Sequence, residues 1–237
     1  MEKKTLTMLV LAGGFGTRLQ SVVADLPKAL APVEGKPFLY YILKSWIDQG
    51  VRSFSFLLHY KADLIVQFLH SQKNDVLKDV EFNWTIESQP LGTGGSISNA
   101  LGKLHIEGAF LVCNADTWLN SGVKEIMETG DTPRIAIIEL KDTNRFGRVV
   151  TEEDKIVAFL EKVDTNSSGW INAGLYYLHS DQFRNWDGKP FSLESRMFPS
   201  LANAGKLYAT PLNSEFIDIG IPDDYKKFID KVKADIH

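Results

Sequence analysis

The sequence predicts an α/β fold in which a mixed, mostly parallel central sheet is flanked by helices. Three observations predict it. Apolar runs of strand length alternate with amphipathic stretches of helix length through the first half of the chain. A glycine-rich turn, GGFG, follows the first apolar run directly. Two aspartates, Asp116 and Asp218, stand in or beside apolar strand-like segments 102 positions apart. A carboxylate in such a place costs free energy unless it is paired or bound to a cation.

The elements follow in order. Residues 6–11 read as a buried strand. Residues 36–49 read as a helix, because Phe38, Leu39, Ile42, Leu43, Trp46 and Ile47 recur at helical spacing and Gly50 follows as a stop. A strand over 54–58, a helix over 62–70, a strand over 82–87, a helix over 94–104 and a strand over 109–114 complete this half. Ligands of such sheets gather at the carboxyl ends of the strands. Beyond Asp116 the pattern changes. A short helix (123–129) and a strand (134–140) precede two strands, 146–150 and 155–162, joined by the acidic turn TEED. Another strand spans 171–178. Strands without intervening helices imply a mixed sheet here. A helix over 192–204 is expected to be interrupted at Pro199. Pro222 opens a last helix to about residue 234, with Asp223 and Asp224 near its positive end.

The totals narrow the function. A chain of 237 residues, 44% apolar and 24% charged, suits one globular domain, with halves at about 1–116 and 117–237. A net charge of −4 argues against a general grip on nucleic acid. Phosphate binding must then come from a few placed cations. The one cysteine, Cys113 in AFLVC, excludes a disulfide within the chain and agrees with a reducing compartment. It reads as a small buried hydrophobe. The apolar run near the N-terminus is too short for a signal segment, and no run of 18 apolar residues exists. The expected location is the cytoplasm, with no membrane partner. The apolar helix face around Tyr40, Tyr41 and Trp46 reads as core, and a homodimer is compatible with the sequence.

The candidate chemistry starts at the glycine turn. Gly13, Gly14 and Gly16 leave backbone N–H groups bare for an anion. Arg18 adds a planar fork of donors suited to phosphate oxygens, and Lys28 after Pro27 adds a point charge. Together they form a triphosphate cradle. A dinucleotide fingerprint needs a third glycine where Leu19 stands, and a P-loop needs Gly-Lys-Ser/Thr, which does not follow. Asp116 ends a buried strand; Asp218 lies between Ile217 and Ile219 and so points to the opposite strand face. Two carboxylates in one crevice suit a hard cation, Mg²⁺ or Mn²⁺.

The string GGFGTRL, followed by LPKALAPVEGKPFLYYIL, resembles the signature of the sugar nucleotidyltransferases, enzymes that join an NTP to a sugar 1-phosphate. The resemblance covers nearly the whole chain and implies a Rossmann-like, GT-A-like sheet. It implies that Leu11, Ala12, Gly13, Gly14, Gly16, Thr17, Arg18 and Lys28 bind the nucleotide. The stretch ESQPLGTGG (87–95), with Glu87, Gln89, Gly92 and Thr93, would form the base pocket. Asp116 stands in Asn-Ala-Asp, where the family usually has Asn-Gly-Asp; Asp218 stands in FIDIG, like the family's aromatic-x-Asp-x-Gly. The resemblance makes these two the metal ligands, and Arg18, Lys28, Asp116 and Asp218 the catalytic set. Glu161 and Lys162 of FLEK would take the sugar hydroxyls and phosphate, Asn172 of INAG the sugar ring, and Gly147 of FGRVV would lie against it. No stretch resembles the hexapeptide β-helix that many members carry. The implied partners are two small molecules. GTRLQSVVADLPKALAPV, LGTGGSI and FIDIGIPDDY are nearest to guanylyl-transferring members that act on D-glycero-α-D-manno-heptose 1-phosphate. Mannose 1-phosphate guanylylation, uridylyl, cytidylyl or thymidylyl transfer, and an inactive nucleotide-sugar-sensing subunit stand beside that reading. The presence of Arg18, Lys28, Asp116 and Asp218 argues against the last.

Overall fold

The computed structural model describes residues 6–19, 22–23, 25–128, 132–160 and 167–236. The first apolar run is strand β1 (Thr7–Leu11). A small hairpin, β2 (Pro32–Val33) and β3 (Lys36–Pro37), leads into α1 (Phe38–Asp48). Then come β4 (Ser53–Leu58), α2 (Ala62–Ser71), β5 (Glu81–Ile86), α3 (Gly92–Leu104), β6 (Ala109–Asn114) and β7 (Thr117–Leu119). Next are α4 (Val123–Glu128), β8 (Arg134–Leu140), β9 (Arg148–Glu152), β10 (Lys155–Leu160) and β11 (Gly169–His179). The chain ends with α5 (Phe198–Asn203), β12 (Tyr208–Pro211), β13 (Phe216–Asp218) and α6 (Pro222–Ile236). This is the mixed α/β class that the alternation of patterns predicts.

Several boundaries differ from the sequence reading, each for a local reason. Helix α1 starts at Phe38 rather than residue 36, because Lys36 and Pro37 pair with Val33 and Pro32. Helix α3 starts two residues early, at Gly92. Pro199 does not interrupt its helix. It sits in the first turn of α5, where the missing N–H is not needed, and a wide turn over Leu193–Met197 precedes it. Strand β7 was not foreseen, since three residues carry no pattern.

The chain divides into two compact units: Met1–Pro90 with Cys113–Asn120 and Glu215–His237, and Leu91–Val112 with Ser121–Ser214. In the first unit β4 lies between β1 and β5, and both pairings are parallel, Met8 opposite Phe54 and Phe54 opposite Phe82. Helix α1 buries Phe38, Leu39, Ile42, Leu43 and Trp46. Phe38 and Tyr41 meet Phe228 of α6 edge-on, at 4.7 and 5.6 Å between ring centres, while Tyr40 is half-buried. Cys113 is buried as expected, and burial pushes its thiol far above the usual range, which keeps it protonated and inert.

In the second unit the order is β6, β11, β8, β12, β10, β9. Strand β8 pairs antiparallel with β11 and parallel with β12, so the sheet is mixed as predicted. Helix α3 begins against the chain at Phe191. The Phe191 carbonyl accepts from the N–H groups of Gly94 (3.0 Å) and Gly95 (3.3 Å), two donors that a helix start leaves without partners. A Cβ on Gly94 would lie 2.0 Å from the Phe191 ring. Gly94→Ala should therefore lower stability by about 1–3 kcal/mol, seen as a lower urea midpoint with an unchanged slope.

Candidate functional site

The site is built where β1 ends. Ala12 N–H donates to the Leu57 carbonyl (3.0 Å), and Ala115 N–H donates to the Leu11 carbonyl (3.1 Å). The first bond ties the glycine turn to β4. The second brings the segment carrying Asp116 to the same strand end. Gly13 passes close to β4, since a Cβ there would lie 3.3 Å from His59 Cβ. His59 Nδ1 is in turn 3.0 Å from the Glu87 carbonyl, and Glu87 N–H donates to the Leu58 carbonyl (2.9 Å). Gly14 stands in open space. Phe15 is exposed at the tip and packs on the His59 and Tyr60 rings.

Gly16 has φ +60°, and a Cβ there would lie 2.9 Å from Lys28 Cβ. A side chain at this position would therefore suffer twice, from backbone conformation and from contact. Thr17–Leu19 form a single tight turn that leaves Arg18 exposed. Lys28 opens a second tight turn, Lys28–Leu30, after Pro27.

Lys28 points at both aspartates. Its Nζ lies 2.8 Å from Asp116 Oδ2 and 3.6 Å from Asp218 Oδ1. The two carboxylates are joined by the antiparallel pair β7–β13, with Asp218 opposite Thr117, and by the bond from Ile219 N–H to the Asp116 carbonyl (3.0 Å). Thr117 Oγ1 donates to Asp116 Oδ1 at 3.3 Å, and Gly220 N–H donates to Asp218 Oδ1 at 2.5 Å. Burial pushes the Asp218 carboxyl above its ordinary value, and the Asp116 charge pushes it further. The positive charges of Lys28 and Arg18 and the Gly220 N–H act the other way. Neighbouring, partly buried carboxylate oxygens are the kind of donors that a hard divalent cation takes. Asp116 and Asp218 fit that role, while no group of three or more His, Cys, Asp or Glu among the described residues is arranged for a metal.

The remaining expected residues fall in several places. Glu87 is buried and Gln89 exposed. Gly92 has φ +71° and faces the Phe191 carbonyl, which a Cβ would meet at 2.5 Å. Thr93 Oγ1 accepts from Leu193 N–H (2.8 Å) and donates to Glu194 Oε2 (2.7 Å). Gly147 lies against the Leu160 carbonyl. Asn172 Oδ1 accepts from Gly174 N–H (2.8 Å), and its Nδ2 donates to Tyr176 Oη (3.0 Å). Glu161 and Lys162 lie outside the described residues, as do Gln20, Ser21 and Ala24, between Arg18 and Lys28 in the sequence. Sequence reasoning missed His59, Tyr176 and Glu194. Tyr176 could have been found, since it follows Asn172 by four in one strand; Glu194 carried no such signal.

Residues 7–235 match the Nucleotidyl transferase family. The chain belongs to it. It is 34% identical, over 92% of its length and 95% of the relative's, to a D-glycero-alpha-D-manno-heptose 1-phosphate guanylyltransferase of Aneurinibacillus thermoaerophilus. A protein of the same description from Campylobacter jejuni is 32% identical over 93% of this chain and 97% of its own. Among solved structures, HddC from Yersinia pseudotuberculosis complexed with GMP-PN is 34% identical, with a TM-score of 0.84 over 96% of this chain and 99% of its own. Nucleotidyltransferases generally work with a divalent metal. No helix among the described residues is long and apolar enough to cross a membrane.

Gly16→Ala should cost about 1–2 kcal/mol in stability from the left-handed backbone alone. It should also weaken NTP binding by displacing Lys28, measured by calorimetric titration beside a thermal unfolding scan.

Proposed function

We propose that this nucleotidyltransferase moves a guanylyl group from GTP to D-glycero-α-D-manno-heptose 1-phosphate in the cytoplasm, giving GDP-heptose and pyrophosphate. The observation that carries the reading is the near-complete alignment with heptose guanylyltransferases, together with a glycine turn, a lysine and two aspartates in one arrangement.

The reaction needs no protein nucleophile. An oxygen of the sugar phosphate, already an anion, attacks the α-phosphorus; the bond from that phosphorus to the bridging oxygen breaks, and pyrophosphate leaves with the electron pair. The protein's task is positioning and charge neutralisation. N–H groups of the glycine turn after β1, at Gly13, Gly14 and Gly16, and the exposed Arg18 hold the β- and γ-phosphates. Lys28 offsets repulsion between the two reacting phosphates. Asp116 and Asp218 hold Mg²⁺, with Mn²⁺ able to replace it, and the ion when bound neutralises phosphate charge. Glu87, Gln89, Gly92 and Thr93 take the base, and Gly147, Glu161, Lys162 and Asn172 take the sugar phosphate. The enzyme works on two small molecules, an NTP and a sugar 1-phosphate, and a homodimer is compatible with that.

The test is pyrophosphate release with Mg²⁺ across GTP, ATP, UTP, CTP and dTTP, each against heptose, mannose and glucose 1-phosphates. Release confined to GTP with the manno-configured heptose phosphate is expected. Turnover with UTP or dTTP but not GTP overturns the nucleotide assignment, and preference for mannose 1-phosphate replaces the sugar. Lys28→Ala should lower the rate by about 10²–10³ while circular dichroism stays unchanged.

A further inference from the structure

We propose that Tyr176 and Glu194 are positioning residues that set the orientation of the Asn172 amide and tie it to Thr93. The inference rests on the reading of Asn172 as a sugar contact and of Thr93 as a nucleotide contact. Both residues lie in the second unit, as does every bond used here.

An unbroken chain of hydrogen bonds carries it. Asn172 Nδ2 donates to Tyr176 Oη (3.0 Å), and Tyr176 Oη donates to Glu194 Oε1 (3.5 Å). The other carboxylate oxygen, Oε2, accepts from Thr93 Oγ1 (2.7 Å) and from Ser192 Oγ (2.8 Å). The Thr93 hydroxyl also accepts from Leu193 N–H at 2.8 Å, which fixes the direction of its proton toward Glu194.

The local backbone serves this chain. Gly174 has φ +73°, and the pairing of β11 with β8 shifts register between Asn172 and Tyr176. Such an irregularity re-aims a side chain. The same turn supplies the Gly174 N–H that holds Asn172 Oδ1 at 2.8 Å. An amide held at both ends cannot flip, so one Nδ2 proton and one Oδ1 lone pair stay in fixed directions for sugar hydroxyls.

Tyr176 itself is fully buried, and its ring meets Phe198 edge-on at 5.1 Å. A hydroxyl buried there and bonded to Asn172 is placed to act through the Asn172 amide. Glu194 is only half-buried, but its carboxylate accepts from three protein hydroxyls. With these partners it joins a residue assigned to the sugar to one assigned to the base.

The experiment measures KM for NTP and for sugar 1-phosphate separately, using whichever pair the substrate panel selects, in Tyr176→Phe, Glu194→Gln, Asn172→Ala and the double variant N172A/Y176F. Tyr176→Phe should raise the sugar phosphate KM about tenfold, the scale of one lost orienting hydrogen bond. The NTP KM should stay within a factor of two and kcat within a factor of three. Glu194→Gln should raise both KM values, because it disturbs both ends of the chain. The double variant should match Asn172→Ala, since Tyr176 has nothing left to orient. A raised KM in Asn172→Ala with none in Tyr176→Phe, or additive effects in the double variant, overturns the inference while the sugar assignment stands. No KM change in Asn172→Ala overturns the sugar assignment and the inference with it.

Discussion

One ammonium group between two carboxylates organises the first unit. Lys28 Nζ reaches Asp116 and Asp218, residues 88 and 190 positions away in the chain. Two partly buried carboxylates side by side repel each other, and the Asp116 charge raises the cost of ionising Asp218. Lys28 offsets that cost. Much of the surrounding backbone holds its reach. The Ala115-to-Leu11 bond, the β7–β13 pair and the turn after Pro27 each place one of the three side chains.

The glycines divide into two kinds that the sequence does not distinguish. Gly13, Gly14 and Gly16 belong to the open turn, and Gly16 combines a left-handed backbone with the closest approach to Lys28. Gly92, Gly94 and Gly95 are close against other protein atoms. Gly92 and Gly94 meet Phe191, Gly95 meets Leu91, and the Phe191 carbonyl takes the N–H groups of Gly94 and Gly95. Read as a string, LGTGGSI offers bare backbone to a ligand. In the fold, most of that bareness is what allows a helix start to pack against a neighbouring segment.

The second unit has a different economy of polar groups. Thr93, Ser192, Glu194, Tyr176 and Asn172 bond to one another, and these bonds offset the desolvation of polar side chains in and beside a packed sheet. The same unit buries Arg134, which donates to the Ala209 carbonyl at 2.6 Å and lies over the Tyr208 ring. In both cases at least one partner comes from a distant part of the chain, Glu194 for Thr93 and Ala209 for Arg134.

The sequence by itself determined the fold class, the position of most elements to within about two residues and the glycine turn, and it nominated Arg18, Lys28, Asp116 and Asp218 as candidates. Those features are local: a period of apolar residues, a turn composition, a carboxylate among apolar neighbours. Tertiary structure alone decided that Lys28 bridges the two aspartates, that β7 exists to pair with β13, that Pro199 starts a helix rather than breaking one, and that Thr93 and Asn172 share a hydrogen-bond chain through Tyr176 and Glu194. Such facts depend on which distant groups meet. A three-residue strand or a single glutamate has no period to read, and its partner is set only when the chain packs.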